Sequence, residues 1–372
     1  MEFDLDSVDR LLSTTRAVRR RLDLDRSVPD ELLLRCIDLA EQAPSGGNQT
    51  SRRWLVIRDP ETKSRLADLY RAVGVPFLQA IADFTEGMDG PVPRVFGSSL
   101  YLAENLERVP VLVVVTIQGV HDGSRRPGLY DSVLQAAWSF CLAARSRGLG
   151  TSWTTLHLNR AAETAELLGI PDDFTQVVLF PVAWTTGGEF NPVARRPAAE
   201  ITYFDQWGFT RDRSSGDGDP RLSARPAVTV DTRIAASPER VWELLTDLPG
   251  GEMVGTEWDG NGPPDLDTAS TVTACDPGRV LAWSSGDTEK RAIRWRFTIE
   301  PALLPGPPLQ SGTFLVYSAV MGSAHEGAAA TADKEVDEER RMSTLRQHRL
   351  RDNMRRTLDG IKTLAEQAAT DR

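Results

Sequence analysis

Residues 130–150 read YDSVLQAAWSFCLAARSRGLG, and this stretch predicts a helix from Tyr130 to Arg147 that is apolar around most of its circumference. A surface helix of a globular protein keeps one polar face, so a helix without such a face is expected to be buried on nearly every side. Gly148-Leu149-Gly150 provides the glycine signal that ends the helix. The stretch therefore predicts the centre of a hydrophobic core in the first half of the chain.

Short apolar segments on both sides of this helix predict strands. The most regular segment is VLVVVTI at 111–117, a β-branched run typical of a central strand, and similar runs occur at 54–57 and 176–183. Apolar residues at helical spacing predict further helices at 29–43, where Pro29 suits the first turn, and at 64–72. The first half of the chain therefore alternates helices with buried strands.

A change in composition divides the chain in two. The segment RDRSSGDGDP at 211–220 contains no apolar residue, which is typical of a solvated linker. For 372 residues, two domains are the default expectation. We therefore predict one domain at 1–212, a linker at 213–225 and a second domain at 226–372. Before the linker, 185–208 is rich in Pro and Gly without a helical period and predicts an extended arm.

The second half of the chain predicts antiparallel strands that are followed by one long helix. An alternating strand at 227–234 leads into a helix with Ser237 as its N-cap and Pro238 at its first position. The chain ends in a helical stretch whose apolar residues recur every three to four positions. Further strands are predicted near 271–274, 280–284, 293–299 and 313–319. This order predicts an α+β architecture in which an antiparallel sheet wraps the terminal helix.

The charge and composition argue against several classes of partner. The formal net charge is −10 at pH 7 and no basic stripe offsets it, which argues against a nucleic-acid partner. The three cysteines show no C-x-x-C spacing, and no two of the four histidines lie three or four residues apart, so no disulfide scaffold or metal site is expected. The N-terminus is acidic and polar, and the longest apolar run, at 109–117, is too short to span a bilayer. We expect a cytoplasmic protein without a membrane partner.

Three segments far apart in the chain fit the binding of one anion. They are TTRAVRRR at 14–21, the small-residue turn APSGGN at 43–48, and PVARRP at 192–197, which follows a strand. Arginine suits such a site because its planar guanidinium binds phosphate oxygens in pairs and keeps its charge. Together with the free amide of Asn48, the segments predict a site for a phosphate and a flat polar ring system.

Residues 8–208 resemble the FMN-dependent nitroreductase family. The resemblance rests on six motifs in this order: TRAVRRRL, APSGGN, VPVLVVV, RSRGLGTSWTTLH, LGIPDDFTQVVLFPVA and RRPAAEITYF. Residues 226–368 resemble the START-like polyketide cyclase/dehydrase (SRPBCC) superfamily through IAASPERVWELLTD, the strand order and the terminal helix. The first resemblance implies a mixed sheet flanked by helices. The second implies a helix-grip fold that encloses a cavity for a hydrophobic ligand.

The first resemblance implies the residues of an FMN site. The early R-x-x-R turn would bind the phosphate and the ribityl chain, and the late arginines would close the phosphate site. The small-residue turn would contact phosphate or the isoalloxazine ring. The segment after GLG would place backbone N–H groups near N5 and O4 of the flavin. The residues at these positions are Arg16, Ala17, Arg19, Ser45, Gly46, Asn48, Thr154, Thr155, Leu156, Arg195 and Arg196.

Two further residues and one departure from the family pattern bear on the site. Tyr130 and His157 are candidates for substrate contacts, and the alternative for both is a packing role. After Asn48 the family usually reads x-Q-P-W, whereas this chain reads QTSR, so Arg52 stands where tryptophan is usual. The contact that this turn makes to a flavin ring is therefore in question.

The resemblance implies an oxidoreductase in which FMN takes hydride from NADH or NADPH and passes it to an electrophilic acceptor, such as a nitroaromatic, a quinone or an activated alkene. The flavin carries the chemistry, and no catalytic side chain is identified. The resemblance also implies a homodimer with two flavins at the subunit interface. Two alternatives stay open. One is a non-catalytic protein that binds flavin or a hydrophobic ligand, and the other is a specialised flavin enzyme, such as a reductive dehalogenase or a natural-product tailoring oxidoreductase.

Overall fold

The chain folds into two compact units, Met1–Ala194 and Arg195–Arg372. The computed structural model describes residues 3–49, 51–85, 91–119, 128–212, 225–246, 270–285, 293–304, 310–321 and 333–370. Nearly all of the predicted linker, 213–224, lies outside the described residues.

The first unit is built on a four-stranded sheet with the order β1-β2-β4-β3. Its strands are β1 (Arg52–Ile57), β2 (Val111–Gln118), β3 (Leu149–Thr151) and β4 (Phe174–Trp184). All three neighbouring pairs are antiparallel, so the prediction of a mixed sheet is wrong for these strands. In the part of the chain that the structure describes, the one parallel bridge to this sheet joins Ala17 to Thr151 at the β3 edge. The segment that contains Ala17 lies along the β3 edge through this bridge and is not itself a strand.

Helices cover both faces of this sheet. Alternate residues of β2 define the two faces, since Val111, Val113 and Val115 belong to one core cluster and Leu112 and Val114 to the other. The first cluster includes residues of the helices at 30–40 and 128–145. The second cluster includes residues of the helices at 60–84 and 91–105. The helices are α1 (Leu5–Thr14), α2 (Asp30–Ala40), α3 (Pro60–Phe84), α4 (Pro91–Asn105), α5 (Gly128–Arg145) and α6 (Ala161–Leu168).

Two of these helices differ from their predictions. The side chain of Asp59 caps α3 by accepting a hydrogen bond from the Thr62 backbone at 2.7 Å, and the helix continues well beyond Ala72 with Pro76 inside it. The helix predicted at 130–147 is α5, which is not buried on every side within one chain. Leu134 is 36% exposed and Trp138 is 44% exposed.

The second unit contains a six-stranded antiparallel sheet with the order β5-β6-β10-β9-β8-β7. Buried residues of the terminal helix pack in one core cluster with residues of this sheet; they are Leu350, Met354, Leu358, Ile361 and Ala365. The elements are α7 (Ala198–Ile201), β5 (Phe209–Asp212), β6 (Arg225–Ile234), α8 (Pro238–Thr246), β7 (Ser270–Asp276), β8 (Val280–Ser285), β9 (Ile293–Leu304), β10 (Gln310–Met321) and α9 (Asp333–Thr370). Strands β6 to β10 and helices α8 and α9 lie where the sequence predicted them, whereas α7, inside the predicted extended arm, and β5 were not predicted. The START-like assignment stays a prediction.

The boundary between the units lies earlier than the predicted end of the first domain at residue 212. Strand β5 pairs with β6, with Phe209 opposite Val228, so the residues before the linker belong to the sheet of the second unit. The predicted arm at 185–208 is correspondingly divided, with its first ten residues in the first unit and the rest in the second. Backbone pairing, which the local composition does not reveal, decides this boundary.

Gly150 in β3 provides a test of the packing at this edge of the first sheet. A Cβ atom at Gly150 would lie 2.8 Å from Thr185 Cγ2 and 3.0 Å from side-chain atoms of Leu22 and Val18. We expect Gly150→Ala to lower the free energy of unfolding by about 1–3 kcal/mol because these neighbours are overpacked. Gly188→Ala is the control, since nothing lies within 4 Å of its added methyl group. Thermal unfolding followed by circular dichroism measures both, and equal stability of the two variants would contradict the packing argument.

Candidate flavin site

The segment that carries the arginine pair is attached by its backbone to the edge of the first sheet. The backbone N–H of Val18 donates to the carbonyl of Thr151 at 2.8 Å, and Ala17 forms the parallel bridge with Thr151. A second bridge joins Leu22 to Thr185. Since β3 is an edge strand, its free backbone groups accept this segment, and the arginine turn lies beside the start of the segment 151–156.

The two arginines of this turn have different environments. Arg16 is exposed, and its Nη1 donates to the carbonyl of Asn191 at 3.2 Å. Arg19 is half-buried, and its Nη1 lies 3.4 Å from Ser98 Oγ on α4. Burial lowers the pKa of the Arg19 guanidinium, while the nearby Tyr70 acts in the opposite direction. An exposed and a half-buried cation therefore lie on one short segment.

The segment after β3 is tied to the sheet through Thr154. The Thr154 N–H donates to the Leu179 carbonyl at 3.2 Å, and the Leu179 N–H donates to the Thr154 carbonyl at 3.0 Å. The Thr154 N–H, which the resemblance would assign to the flavin ring, is thus engaged by Leu179. The backbone donors that the described structure leaves for a ring are those of Thr155 and Leu156. The hydroxyl of Thr154 lies 2.7 Å from the hydroxyl of Tyr70 on α3.

The turn 43–48 is held against α5. Ser132 Oγ accepts a hydrogen bond from the Gly46 backbone at 2.9 Å, and Asn48 N donates to the carbonyl of Ser45 at 3.1 Å. Gly47 and Asn48 have positive φ angles of 62° and 54°. Asparagine tolerates this left-handed conformation better than most residues. Ser45 is half-buried, whereas Gly46 and Asn48 are exposed and available to a ligand.

Arg52, which stands where the family usually has tryptophan, anchors this turn from inside the protein. Its side chain is buried and donates to the carbonyls of Ser132 and Ala43, each at 3.1 Å. Its Nε lies 3.3 Å from Glu41 Oε2. A buried arginine needs such partners, because an unpaired buried charge is strongly unfavourable. In the sequence, Arg52 differs from the usual family pattern, but the sequence predicted no role for it.

The structure joins some of the predicted site residues by hydrogen bonds. The arginine turn and the segment 151–156 are joined by hydrogen bonds. No hydrogen bond or ion pair among the described residues joins either of them to the turn 43–48. Arg195 and Arg196 belong to the second unit, where Arg196 lies 3.9 Å from Glu200 and its guanidinium lies over the ring of Phe314. Their role in binding a phosphate stays a prediction.

The two substrate candidates are both in packed positions. Tyr130 is half-buried and packs against the core between α2, α5 and the sheet. His157 is fully buried in a 3₁₀ turn, Leu156–Arg160, and neither ring nitrogen has a hydrogen-bond partner among the described residues. Burial lowers the pKa of His157 to about 4, so its ring is neutral at neutral pH. Contact of either residue with a substrate stays a prediction.

No group of three or more His, Cys, Asp or Glu side chains in the described ranges is arranged to hold a metal ion. Within the same ranges, no helix combines the length and the apolar character that a bilayer span requires.

Comparison with known proteins assigns a family to most of the first unit. Residues 12–184 match the model of the nitroreductase family, so this part of the chain is a nitroreductase-family domain. Three solved structures share parts of the chain at low identity. Oxidised iodotyrosine deiodinase bound to FMN and 3-iodo-L-tyrosine is 22% identical, with coverage of 52% of this chain and 97% of that chain and a TM-score of 0.38. A BluB-like flavoprotein from Clostridium difficile 630 is 20% identical, with coverage of 55% and 100% and a TM-score of 0.41. A variant of the FMN and NADPH-dependent nitroreductase NfnB from Sphigopyxis sp. strain HMH is 18% identical, with coverage of 53% and 98% and a TM-score of 0.42.

The low pKa of His157 predicts a specific dependence of stability on pH. The folded-state pKa of about 4 is below the ordinary value of 6.5, so the unfolded chain binds a proton first as the pH falls. The contribution of neutral His157 to the free energy of unfolding is therefore complete above pH 6.5 and is lost as the pH falls from 6.5 to 4. The total loss is roughly 3 kcal/mol, at about 1.4 kcal/mol for each pH unit.

We expect His157→Leu to remove this part of the pH dependence while other groups continue to titrate. Urea unfolding of the wild type and the variant at several pH values between 7 and 4 would measure the difference. If the two curves of stability against pH run parallel, His157 does not titrate as its burial indicates.

Proposed function

We propose that the first unit binds FMN and catalyses hydride transfer from NADH or NADPH to an electrophilic small-molecule acceptor. Nitroaromatics, quinones and activated alkenes are the acceptor classes. The observation that carries the proposal is the attachment of the arginine turn to Thr151, which places Arg16 and Arg19 beside the donors that follow β3. The nitroreductase-family match over 12–184 supports it.

The residues at this edge have the donor chemistry that FMN requires. Arg16 is exposed and suits a phosphate, because a guanidinium binds two phosphate oxygens at once. Arg19 supplies a second positive charge, and the N–H groups of Thr155 and Leu156 are neutral donors suited to ring oxygen and nitrogen atoms. When bound, FMN would supply the hydride-accepting and hydride-donating chemistry, and the protein contributes binding, orientation and electrostatics.

The protein groups have separable tasks in this proposal. Arg16 exchanges its hydrogen bond with Asn191 O for contacts with the phosphate, which is a stronger acceptor because it is charged. Arg19, which burial partly removes from water, stabilises negative charge more strongly than an exposed cation would. The donors of Thr155 and Leu156 stay in place because Thr154 is held to Leu179 on both sides of its backbone.

We propose that the first unit forms a homodimer through α5. Leu134 and Trp138 are one helical turn apart and exposed in the single chain, and α1, which carries the exposed Leu12, lies against α5. The turn 43–48 is anchored on α5 through Ser132. In such a dimer, the turn of a second copy is available to complete a site that the arginine turn of the first copy begins.

The second unit remains a proposed binding module for a hydrophobic ligand. Its sheet and helices enclose an apolar core that includes Trp283, Trp295, Phe297 and Tyr317. We also propose that the protein works in the cytoplasm, where its cysteines Cys36, Cys141 and Cys275, which are all free in the structure, stay reduced.

The proposed phosphate contact predicts the effect of removing Arg16. We expect Arg16→Ala to weaken FMN binding by about 10- to 150-fold, because a charge-assisted hydrogen bond contributes about 1.5–3 kcal/mol. Arg35→Ala, which removes an exposed arginine from α2, is the matched control and should leave the affinity unchanged. Titration of the protein freed of FMN, followed by flavin fluorescence, measures both. Equal affinities of the two variants would exclude Arg16 from the site.

The absorption spectrum of the purified protein tests the function as a whole. A flavin spectrum that bleaches with NADH or NADPH without oxygen, and returns on addition of a nitroaromatic or a quinone, is the expected result. A colourless protein that takes up no FMN would refute the proposal. A flavin spectrum that neither nucleotide bleaches would favour the non-catalytic binding protein.

The proposed interface predicts the effect of a charge on α5. We expect Trp138→Glu to convert the dimer to a monomer, because the interface would have to bury an unpaired carboxylate. Leu34→Glu makes the same kind of change on the exposed side of α2 and should leave the dimer intact. Light scattering after size-exclusion chromatography gives the mass of each. A monomeric wild-type protein would contradict the proposed assembly.

A further inference from the structure

A buried tyrosine of α3 forms a hydrogen bond with one residue of the proposed FMN site and interacts electrostatically with another. Tyr70 is 2% exposed, and its hydroxyl lies 2.7 Å from Thr154 Oγ1. The positive charge of Arg19 is close enough to favour the ionised form of the phenol, and the phenol in turn affects the guanidinium. Tyr70 therefore connects the arginine turn with the segment after β3, although it lies far from both in the sequence.

The packing around Tyr70 fixes the position of its ring. Helix α3 contacts the 3₁₀ turn that begins at Leu156. Gly74, one turn after Tyr70, allows this approach, since a Cβ atom there would lie 2.9 Å from Leu156 Cδ1 and 3.6 Å from the Tyr70 ring. The ring belongs to the core cluster between α3, α4 and the sheet. A ring held in this way presents its hydroxyl group at a single position.

The direction of the hydrogen bond follows from the acidity of the two hydroxyl groups. Burial raises the pKa of the Tyr70 phenol, while the hydrogen bond with Thr154 and the charge of Arg19 lower it, and the net direction is upward. The phenol is therefore protonated at neutral pH. A phenol is a stronger acid than an alcohol, so Tyr70 donates and Thr154 Oγ1 accepts. The proton of the Thr154 hydroxyl is then free for another acceptor.

Thr154 cannot easily turn away from this arrangement. Its backbone N–H and C=O are both hydrogen-bonded to Leu179, so its backbone is fixed to the sheet. Thr154 as a whole residue is half-buried rather than fully enclosed. A fixed backbone and a fixed hydrogen-bond donor together determine where the remaining Thr154 proton points.

We propose that Tyr70 is a positioning residue of the FMN site, which holds the Thr154 hydroxyl as a hydrogen-bond donor toward the bound isoalloxazine ring. The inference rests on the proposed function. Because the Thr154 N–H is engaged by Leu179, the hydroxyl is the group through which Thr154 contacts the ring. A hydrogen-bond donor at the ring stabilises the more electron-rich, reduced FMN more than the oxidised form. Tyr70 therefore affects the redox potential of bound FMN without contacting it.

The test compares Tyr70→Phe, which keeps the ring and removes the hydroxyl, with Thr154→Val, which removes the accepting hydroxyl at similar volume. For both variants we expect the affinity for reduced FMN to fall about tenfold more than that for oxidised FMN, which lowers the two-electron potential by about 30 mV. The double variant should show the same shift as Thr154→Val alone, and Thr154→Ser should restore the wild-type potential. Tyr203→Phe, in the second unit, is the control and should leave the potential unchanged.

The outcomes separate this inference from the proposed function. A wild-type protein that binds no FMN overturns both at the first step. If the wild type binds FMN but Tyr70→Phe leaves the potential unchanged, Tyr70 has no positioning role, and a lower thermal stability alone would then show that it is a packing residue. Additive shifts in the double variant would also overturn the inference, because the two hydroxyl groups would act independently.

Discussion

The hydrogen bond from Val18 N–H to Thr151 O is the contact on which the candidate site depends. Strand β3 is short and lies at the edge of the sheet, so one row of its backbone groups has no strand to pair with. The segment before α2 occupies that row and thereby brings Arg16 and Arg19 to the residues after β3. Gly150 makes this possible, because any larger residue would collide with Val18 and Leu22. The edge of the sheet is thus covered by the segment that carries the arginines of the candidate site.

Buried polar groups hold the rest of the site in place. Arg52 connects β1, the turn 43–48 and α5 through hydrogen bonds to the carbonyl oxygens of Ala43 and Ser132. Replacing Arg52 would remove these hydrogen bonds. Arg52 stands where the family usually has tryptophan, and it holds the turn 43–48 through hydrogen bonds of its buried side chain. The turn thus keeps its shape without a contact from that position to a flavin ring.

The chain that leaves the first sheet is fastened before it enters the second unit. The guanidinium of Arg21 donates to the carbonyls of Thr186, Gly188 and Glu189 and lies over the ring of Phe190. Arg10 also forms an ion pair with Glu189. Arg21 belongs to the same TTRAVRRR segment as Arg16 and Arg19, and in the structure its guanidinium donates to these backbone carbonyls.

The sequence by itself determined the order of most strands and helices and predicted an anion-binding role for the arginine turn. These features follow from local patterns: apolar periodicity, glycine signals and the chemistry of arginine. Helix α3 was predicted too short because Gly74 and Pro76 are usually breaks in a helix, yet packing against Leu156 stabilises it. The contacts of Thr154 could not be predicted, since Leu179 and Tyr70 reach it only through the sheet and α3. The same is true of Arg195 and Arg196, which joined the second unit because β5 pairs with β6. Pairing between distant segments depends on how whole elements pack, and no local pattern records it.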